Sequence, residues 1–171
     1  MANQVRAGVH HLHTLGWLHL DLKPANILYD SRTRHASICD FSISERHPLL
    51  PAVAQSRGTW CTEQYRPPEL LRVPCAQYLC PQVDSWSLGC TVFEAGCGKG
   101  LFPEGDSHAM KAAMTSVNTA GLYLRMRGSS PVCAAFASVM CRMEPAQRWK
   151  LAHPFPGVAD MAARWAKAGK D

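Results

Sequence analysis

The stretch His19-Leu20-Asp21-Leu22-Lys23-Pro24-Ala25-Asn26 puts a carboxylate, an amine and a carboxamide within six consecutive residues. Pro24 has no amide hydrogen and breaks regular structure, so Asp21 to Asn26 is expected to be a loop on which the three polar groups converge. A second carboxylate, Asp40, follows nineteen positions after Asp21 and directly precedes Phe41. Ile27–Tyr29 and Ala36–Cys39 read as two short strands around the polar turn Asp30–Arg34. A hairpin returns the chain beside its own start, so Asp40 is expected close to Asn26. Asp40 and Asn26 would supply hard oxygen ligands for Mg²⁺, an ion usually held by few protein ligands plus substrate phosphates. Lys23 suits the neutralisation of a transferring phosphate, and Asp21 suits a group that orients a hydroxyl and accepts its proton. Together they outline a phosphoryl-transfer site.

The elements that must position these groups are mostly helical. Val5, Val9, Leu12 and Gly16 recur at helical spacing, with Gly16 as the stop. Trp17 to Leu20 reads as extended. Phe41 to Pro81 carries six prolines and no sustained period, and a loop that long inside a compact domain marks a functional segment. Val83–Ala95 is apolar nearly all round and is expected to be a central buried helix closed by Gly96. Ser107–Val117 reads as helix. Ser130-Pro131 is a cap followed by a first-position proline, leading into Val132, Phe136, Val139, Met140 and Met143. Val158–Lys167 reads as a last amphipathic piece. His10, His11 and His13 are expected at the surface or at a helix cap.

The chain has 171 residues, about one domain, with 47% hydrophobic and 18% charged residues. Its net charge of +5 comes from dispersed basic residues, and a nucleic-acid surface would show a clustered patch. No apolar run approaches the ~18 residues of a membrane helix, and residues 1–6 lack the pattern of a secretory signal. A soluble protein, intracellular in the cytoplasm or nucleus, is therefore expected. The eight cysteines form no C-x-x-C pair and are expected as free buried thiols.

His19–Asn26 closely resembles the protein-kinase catalytic loop H-R-D-L-x-x-x-N, and Asp40-Phe41-Ser42 resembles D-F-G. Tyr65-Arg66-Pro67-Pro68-Glu69 looks like the A-P-E segment, and Asp84–Gly89 like the buried D-x-W-S-x-G helix. Glu144-Pro145-Ala146-Gln147-Arg148 resembles the late segment whose arginine pairs with the A-P-E glutamate. Five such motifs in order are far more specific than any one alone. The resemblance is to serine/threonine protein kinases, and the wording around Glu69 looks most like the cyclin-dependent and related group. It implies a protein-kinase-like α+β fold, a mainly α-helical C-terminal lobe with one short β-hairpin, the N-terminal lobe being missing from the match. On this reading residues 1–156 form a partial kinase domain, with catalytic loop 19–26, activation segment 40–69, buried helix 83–96 and late helices 107–156. Residues 157–171 would be a helical tail.

The resemblance implies that Asp21 is the catalytic base, that Lys23 contacts the γ-phosphate and that Asn26 and Asp40 bind magnesium. Thr62, seven positions before Glu69, would brace Asp21 and Lys23. The implied cofactors are ATP and Mg²⁺, and the implied partners are a protein substrate with a Ser/Thr acceptor and a regulatory protein, without nucleic acid or membrane. His19 is expected to be a packed structural histidine beside Phe41, and Glu69 and Arg148 a partly buried ion pair.

Three departures stand out. Leu20 replaces the arginine that balances an activation-loop phosphate. Ser42 replaces the D-F-G glycine, and serine tolerates positive φ poorly. No G-x-G-x-x-G, V-A-I-K-type lysine or partner glutamate occurs in the chain. Gly96–Gly100 superficially resembles a phosphate-binding loop but lacks its first glycine and its Ser/Thr. The competing expectations are a non-catalytic kinase-like binding module, or a sequence whose preceding coding segment supplies the smaller lobe.

Overall fold

The computed structural model describes residues 1–48, 61–71, 79–102, 107–115, 126, 128–155, 157, 160 and 163. Helix α1 spans Ala2–Thr14 and buries Val5 and Val9 against the core. Gly16 follows at φ 75°, a left-handed turn that glycine adopts without strain, so the predicted stop is where the chain turns. Strand β1 (Trp17–Leu18) leads into the loop, in which Pro24–Asn26 forms one 3₁₀ turn rather than irregular backbone. Proline fits there because the first turn of a helix needs no amide donor.

Strands β2 (Ile27–Asp30) and β3 (His35–Ile38) pair antiparallel with Ile27 opposite Ile38, within one residue of the expected bounds. One strand of a second antiparallel pair lies inside the segment read as irregular. Strand β4 (Glu45–Arg46) returns to β1 with Arg46 opposite Trp17, the guanidinium 5.4 Å from the indole centroid. Two residues are too short for any alternation to show, so only the tertiary pairing reveals this strand.

Helix α2 spans Pro81–Cys97, and every residue from Val83 to Phe93 is buried. It runs past Gly96, the expected stop, and closes at Gly98, whose φ of 67° makes the left-handed cap. Gly96 is a glycine for packing instead: a methyl group there would collide with the sulfur of Cys133. Helix α3 spans Ser107–Thr115 and helix α4 spans Pro131–Met140. Pro131 opens α4 as expected, but the Ser130 side chain makes no capping hydrogen bond.

The main core gathers Val5, Val9, Leu22, Trp86, Phe93 and Met140 among α1, α2 and α4. Trp86 stacks on Phe102 with ring centroids 5.6 Å apart. A smaller cluster (Leu18, Leu20, Cys61, Leu70, Leu79, Val83) seats the loop of interest on the first turn of α2. The late segment is tied back to α1, where Asn3 Oδ1 accepts from the Phe155 amide at 3.0 Å and the Arg6 guanidinium donates to the Leu151 carbonyl. The expected amphipathic piece Val158–Lys167 lies almost wholly outside the described residues. No helix among the described residues is long and apolar enough to cross a membrane.

Candidate active site

The loop after β1 is held from below by one buried carboxylate. Asp84, in the first turn of α2 and fully buried, accepts the His19 amide at 2.9 Å, the Leu20 amide at 2.9 Å and His13 Nε2 at 2.8 Å. Leu20 adopts φ 67°, and its side chain is buried in the smaller apolar cluster. Left-handed backbone strains a leucine, and two anchored amides together with apolar burial hold it there. His13 was expected at the surface or a cap; it is instead drawn inward to Asp84. The signal in the sequence was the i, i+4 row Val5–Val9–His13, which continues the buried face of α1. For Asp84 the signal was a carboxylate near the start of a helix apolar nearly all round, since a buried charge needs partners.

His19 is fully buried, as expected for a structural histidine. Its ring meets Phe41 edge-on at 5.1 Å, and its Nε2 lies 3.1 Å from the Cys39 carbonyl. This ring joins the loop to the chain leaving the β2–β3 hairpin.

Three of the expected residues converge tightly. Asp21 Oδ2 lies 2.8 Å from Lys23 Nζ, and Lys23 Nζ donates to Thr62 Oγ1 at 3.0 Å. Thr62 in turn gives both of its donors to Asp21 Oδ1, its hydroxyl at 2.6 Å and its amide at 3.1 Å. Burial raises the proton affinity of Asp21, but the hydrogen bonds from Lys23 and Thr62 outweigh it, so the carboxyl stays below its ordinary range. Asn26 is buried and turns its amide nitrogen to the Asp21 carbonyl at 2.8 Å and to Asp21 Oδ2 at 3.1 Å.

Asp40 is the outlying member. The Cys39 amide donates to the Asn26 carbonyl at 3.0 Å, which puts Asp40 one residue beyond the end of the hairpin ladder. Its carboxylate is exposed and accepts the Ser42 hydroxyl at 2.7 Å, and the Ser42 side chain and amide together hold its proton affinity down. Asp21 and Lys23 both act on it electrostatically. The positive φ expected to trouble Ser42 falls on Asp40, at 62°. Aspartate tolerates that region better than most residues, and Ser42 serves as the cap on its carboxylate.

With its nitrogen engaged by Asp21, Asn26 presents its carbonyl oxygen as the remaining ligand atom. The Asn26 carbonyl oxygen and the Asp40 carboxylate are each hard oxygen donors of the kind that suits Mg²⁺. Among the described residues no group of three or more His, Cys, Asp or Glu side chains is arranged to hold a metal ion. Two ligands suit an ion whose remaining positions are filled by water and phosphate oxygens.

The segment bearing Thr62 is fixed at its far end. Arg148 grips Glu69 with two parallel bonds, Nη1–Oε1 at 2.6 Å and Nη2–Oε2 at 2.7 Å. The guanidinium also donates to the Gln82 and Arg142 carbonyls and lies over Trp86, 5.1 Å from its centroid. Glu69 is 4% and Arg148 3% exposed, so the pair expected to be partly buried is sealed. Nearer Thr62, the Tyr65 hydroxyl donates to Glu94 at 2.7 Å and Ser87 Oγ donates to the Tyr65 carbonyl at 2.8 Å.

A family profile described as a protein kinase domain matches residues 1–155. The chain is 39% identical over 99 residues to protein kinase MCK1 of Saccharomyces cerevisiae, covering 58% of this chain and 25% of that protein. It is 38% identical over 103 residues to mitogen-activated protein kinase mpkC of Aspergillus niger, covering 60% and 24%. It is 37% identical over 102 residues to cyclin-dependent kinase G1 of Arabidopsis thaliana, covering 58% and 16%. The chain spans about a quarter of the length of the first of these relatives, and their names bear out the group resemblance read from Tyr65–Glu69. The chain belongs to the protein kinase domain family.

Proposed function

We propose that this chain carries the catalytic loop of a serine/threonine protein kinase, which moves the γ-phosphate of ATP to a Ser or Thr hydroxyl of a protein substrate. The observation that carries the reading is the closed Asp21–Lys23–Thr62 triangle, assembled from segments 41 residues apart. Asp21, kept ionised by its donors, orients the acceptor hydroxyl and takes its proton. Lys23, held at the edge of the triangle with its ammonium part-exposed, reaches the transferring phosphate. Asn26 and Asp40 would hold Mg²⁺, which when bound neutralises phosphate charge. A lysine two positions after the aspartate supports a serine/threonine rather than a tyrosine acceptor, by resemblance to the family. The same proposal sets the domain at residues 1–156 with 157–171 as a tail, working inside the cell with a regulatory protein partner and without nucleic acid or membrane.

The 171 residues contain no glycine-rich phosphate loop and no strand lysine. ATP binding and transfer by these residues alone are therefore expected to be weak; the competing reading is a non-catalytic kinase-like binding module. The test is phosphate transfer from labelled ATP–Mg²⁺ to a protein substrate, in a form joined to a kinase smaller lobe. Asp21→Asn is expected to slow that transfer ~10²–10⁴-fold. An unchanged rate would overturn the role of Asp21, and no transfer with the lobe joined would favour the binding module.

A further inference from the structure

Helix α2 carries the dipeptide Gly-Cys twice, at Gly89-Cys90 and at Gly96-Cys97, seven residues or two turns apart. Each repeat faces a cysteine of the antiparallel α4 region. A methyl group on Gly89 would lie 2.6 Å from Met140 Cβ and 2.8 Å from Cys141 Sγ, and one on Gly96 would overlap Cys133 Sγ. The two glycines therefore let the helices approach until α4 sulfurs fill the space of α2 side chains. A cysteine follows each of these glycines on α2. Cys90 Sγ lies 3.8 Å from Cys141 Sγ, and Cys97 directly follows the glycine on which Cys133 Sγ packs, both cysteines being partly buried against the same core.

The two pairs differ in access. Cys90 and Cys141 are 2% and 0% exposed in the main core. Cys97 and Cys133 are half-buried at the open end of the interface, where Gly98 and Lys99 face solvent.

We propose that Cys97 and Cys133 form an oxidisable dithiol, which closes a disulfide between α2 and α4 by exchange with a small disulfide such as oxidised glutathione, while Cys90 and Cys141 stay reduced. The Cys97 thiolate attacks one glutathione sulfur, forming a mixed disulfide and releasing one glutathione thiolate. The Cys133 thiolate then attacks the Cys97 sulfur, forming the Cys97–Cys133 bond and releasing the second. The two cysteine protons end on the two glutathione thiols, so two electrons pass from the protein to glutathione. Burial, and after it the neighbouring Cys97, pushes the Cys133 thiol up, so Cys133 is assigned only the second step, where the intramolecular mixed disulfide offsets its smaller thiolate fraction. Burial pushes the Cys90 thiol up much further, and both sulfurs of the Cys90–Cys141 pair lie sealed in the core.

The test is incubation of the whole folded chain with oxidised glutathione, then alkylation before and after denaturation and peptide mass mapping. The expected product is lighter by about 2 Da for the two hydrogens lost, with one linked peptide pair joining Cys97 to Cys133. Cys90 and Cys141 should alkylate only after denaturation. C133S should stop at a persistent glutathione adduct on Cys97, and C97S should form no bridge. Four results would overturn the proposal: both thiols remaining free, a lasting adduct in the natural chain, a bridge to another cysteine or another molecule, or a Cys90–Cys141 bridge. Should C133S fail to fold, the mapping of the natural chain and of C97S decides the matter.

Discussion

Two carboxylate–cation pairs of similar length hold the described segment 61–71, one through Thr62 and one through Glu69, and they sit in opposite surroundings. Asp21–Lys23 closes at 2.8 Å with side chains 12% and 26% exposed, whereas Glu69–Arg148 closes at 2.6 Å with 5% and 0%. Both are held by further bonds. At Arg148 those partners are backbone carbonyls of the surrounding scaffold, which fix the charge in one place. At Lys23 the further partner is a hydroxyl on a segment brought from a distance, and the ammonium keeps an open side. The same chemistry is thus a fixed clamp where it is sealed and keeps a part-exposed ammonium where it is reachable.

The largest expected effect comes from breaking the sealed pair. Arg148→Leu leaves Glu69 buried and uncompensated and should cost ~3–5 kcal/mol. Adding Glu69→Leu should recover part of that loss. Urea denaturation of the four proteins checks it, and strictly additive effects would mean that the two residues do not interact.

Asp84 comes next. Asp84→Ala strips two buried amides and His13 of their acceptor and should cost about 3 kcal/mol in the same measurement. A loss under about 0.5 kcal/mol, the size of an ordinary surface change, would mean that the loop keeps its shape without this anchor.

Thr62→Ala should cost ~1 kcal/mol and raise the proton affinity of Asp21, because it removes the hydroxyl donor. Folded Asp21 binds its proton less tightly than the ordinary aspartate value of 3.8. The stability it contributes is therefore fully present above that value and is lost as the pH falls through the lower folded value. The variant should show a shallower loss of stability on acidification. An identical acid profile would separate Thr62 from Asp21.

Lys23→Met tests the open pair and should cost only ~0–1 kcal/mol, with the difference shrinking in salt. A loss as large as that of Arg148→Leu would erase the contrast between the two sites. The smallest effect is expected from phosphate removal. Leu20 is packed into an apolar cluster with Cys61, so no cation stands beside Asp21 at that position to order the segment around a phosphate. Phosphatase treatment of an active, lobe-joined form should leave its rate unchanged, and abolished activity would refute this. Ser56 and Thr59, two hydroxyl residues of this segment, lie outside the described residues.

Much of this was legible in one dimension because the motifs are local. Asp21, Lys23 and Asn26 share one turn, Gly16 sits where a left-handed residue must end α1, and Pro131 opens α4 as a first-position proline should. The order of the motifs was enough to pair Glu69 with Arg148 across 79 positions. The readings that needed correction concern which of two chemically equal residues does a job. Gly96 and Gly98 both suit a helix end, and the sulfur of Cys133 decides that the first packs and the second caps. His10, His11 and His13 look alike on one helix, and only the position of Asp84 draws His13 inward.

Residue types and spacing determined the family, the candidate site residues and most of the helices, because periodicity and turn chemistry act over a few neighbours. Tertiary structure alone decided the degree of burial of each ion pair, the β1–β4 pairing, the strain carried by Leu20 and Asp40, and the facing of two thiol pairs across α2 and α4. Those properties depend on which surfaces meet, and close packing between segments distant in sequence is not written in any one of them.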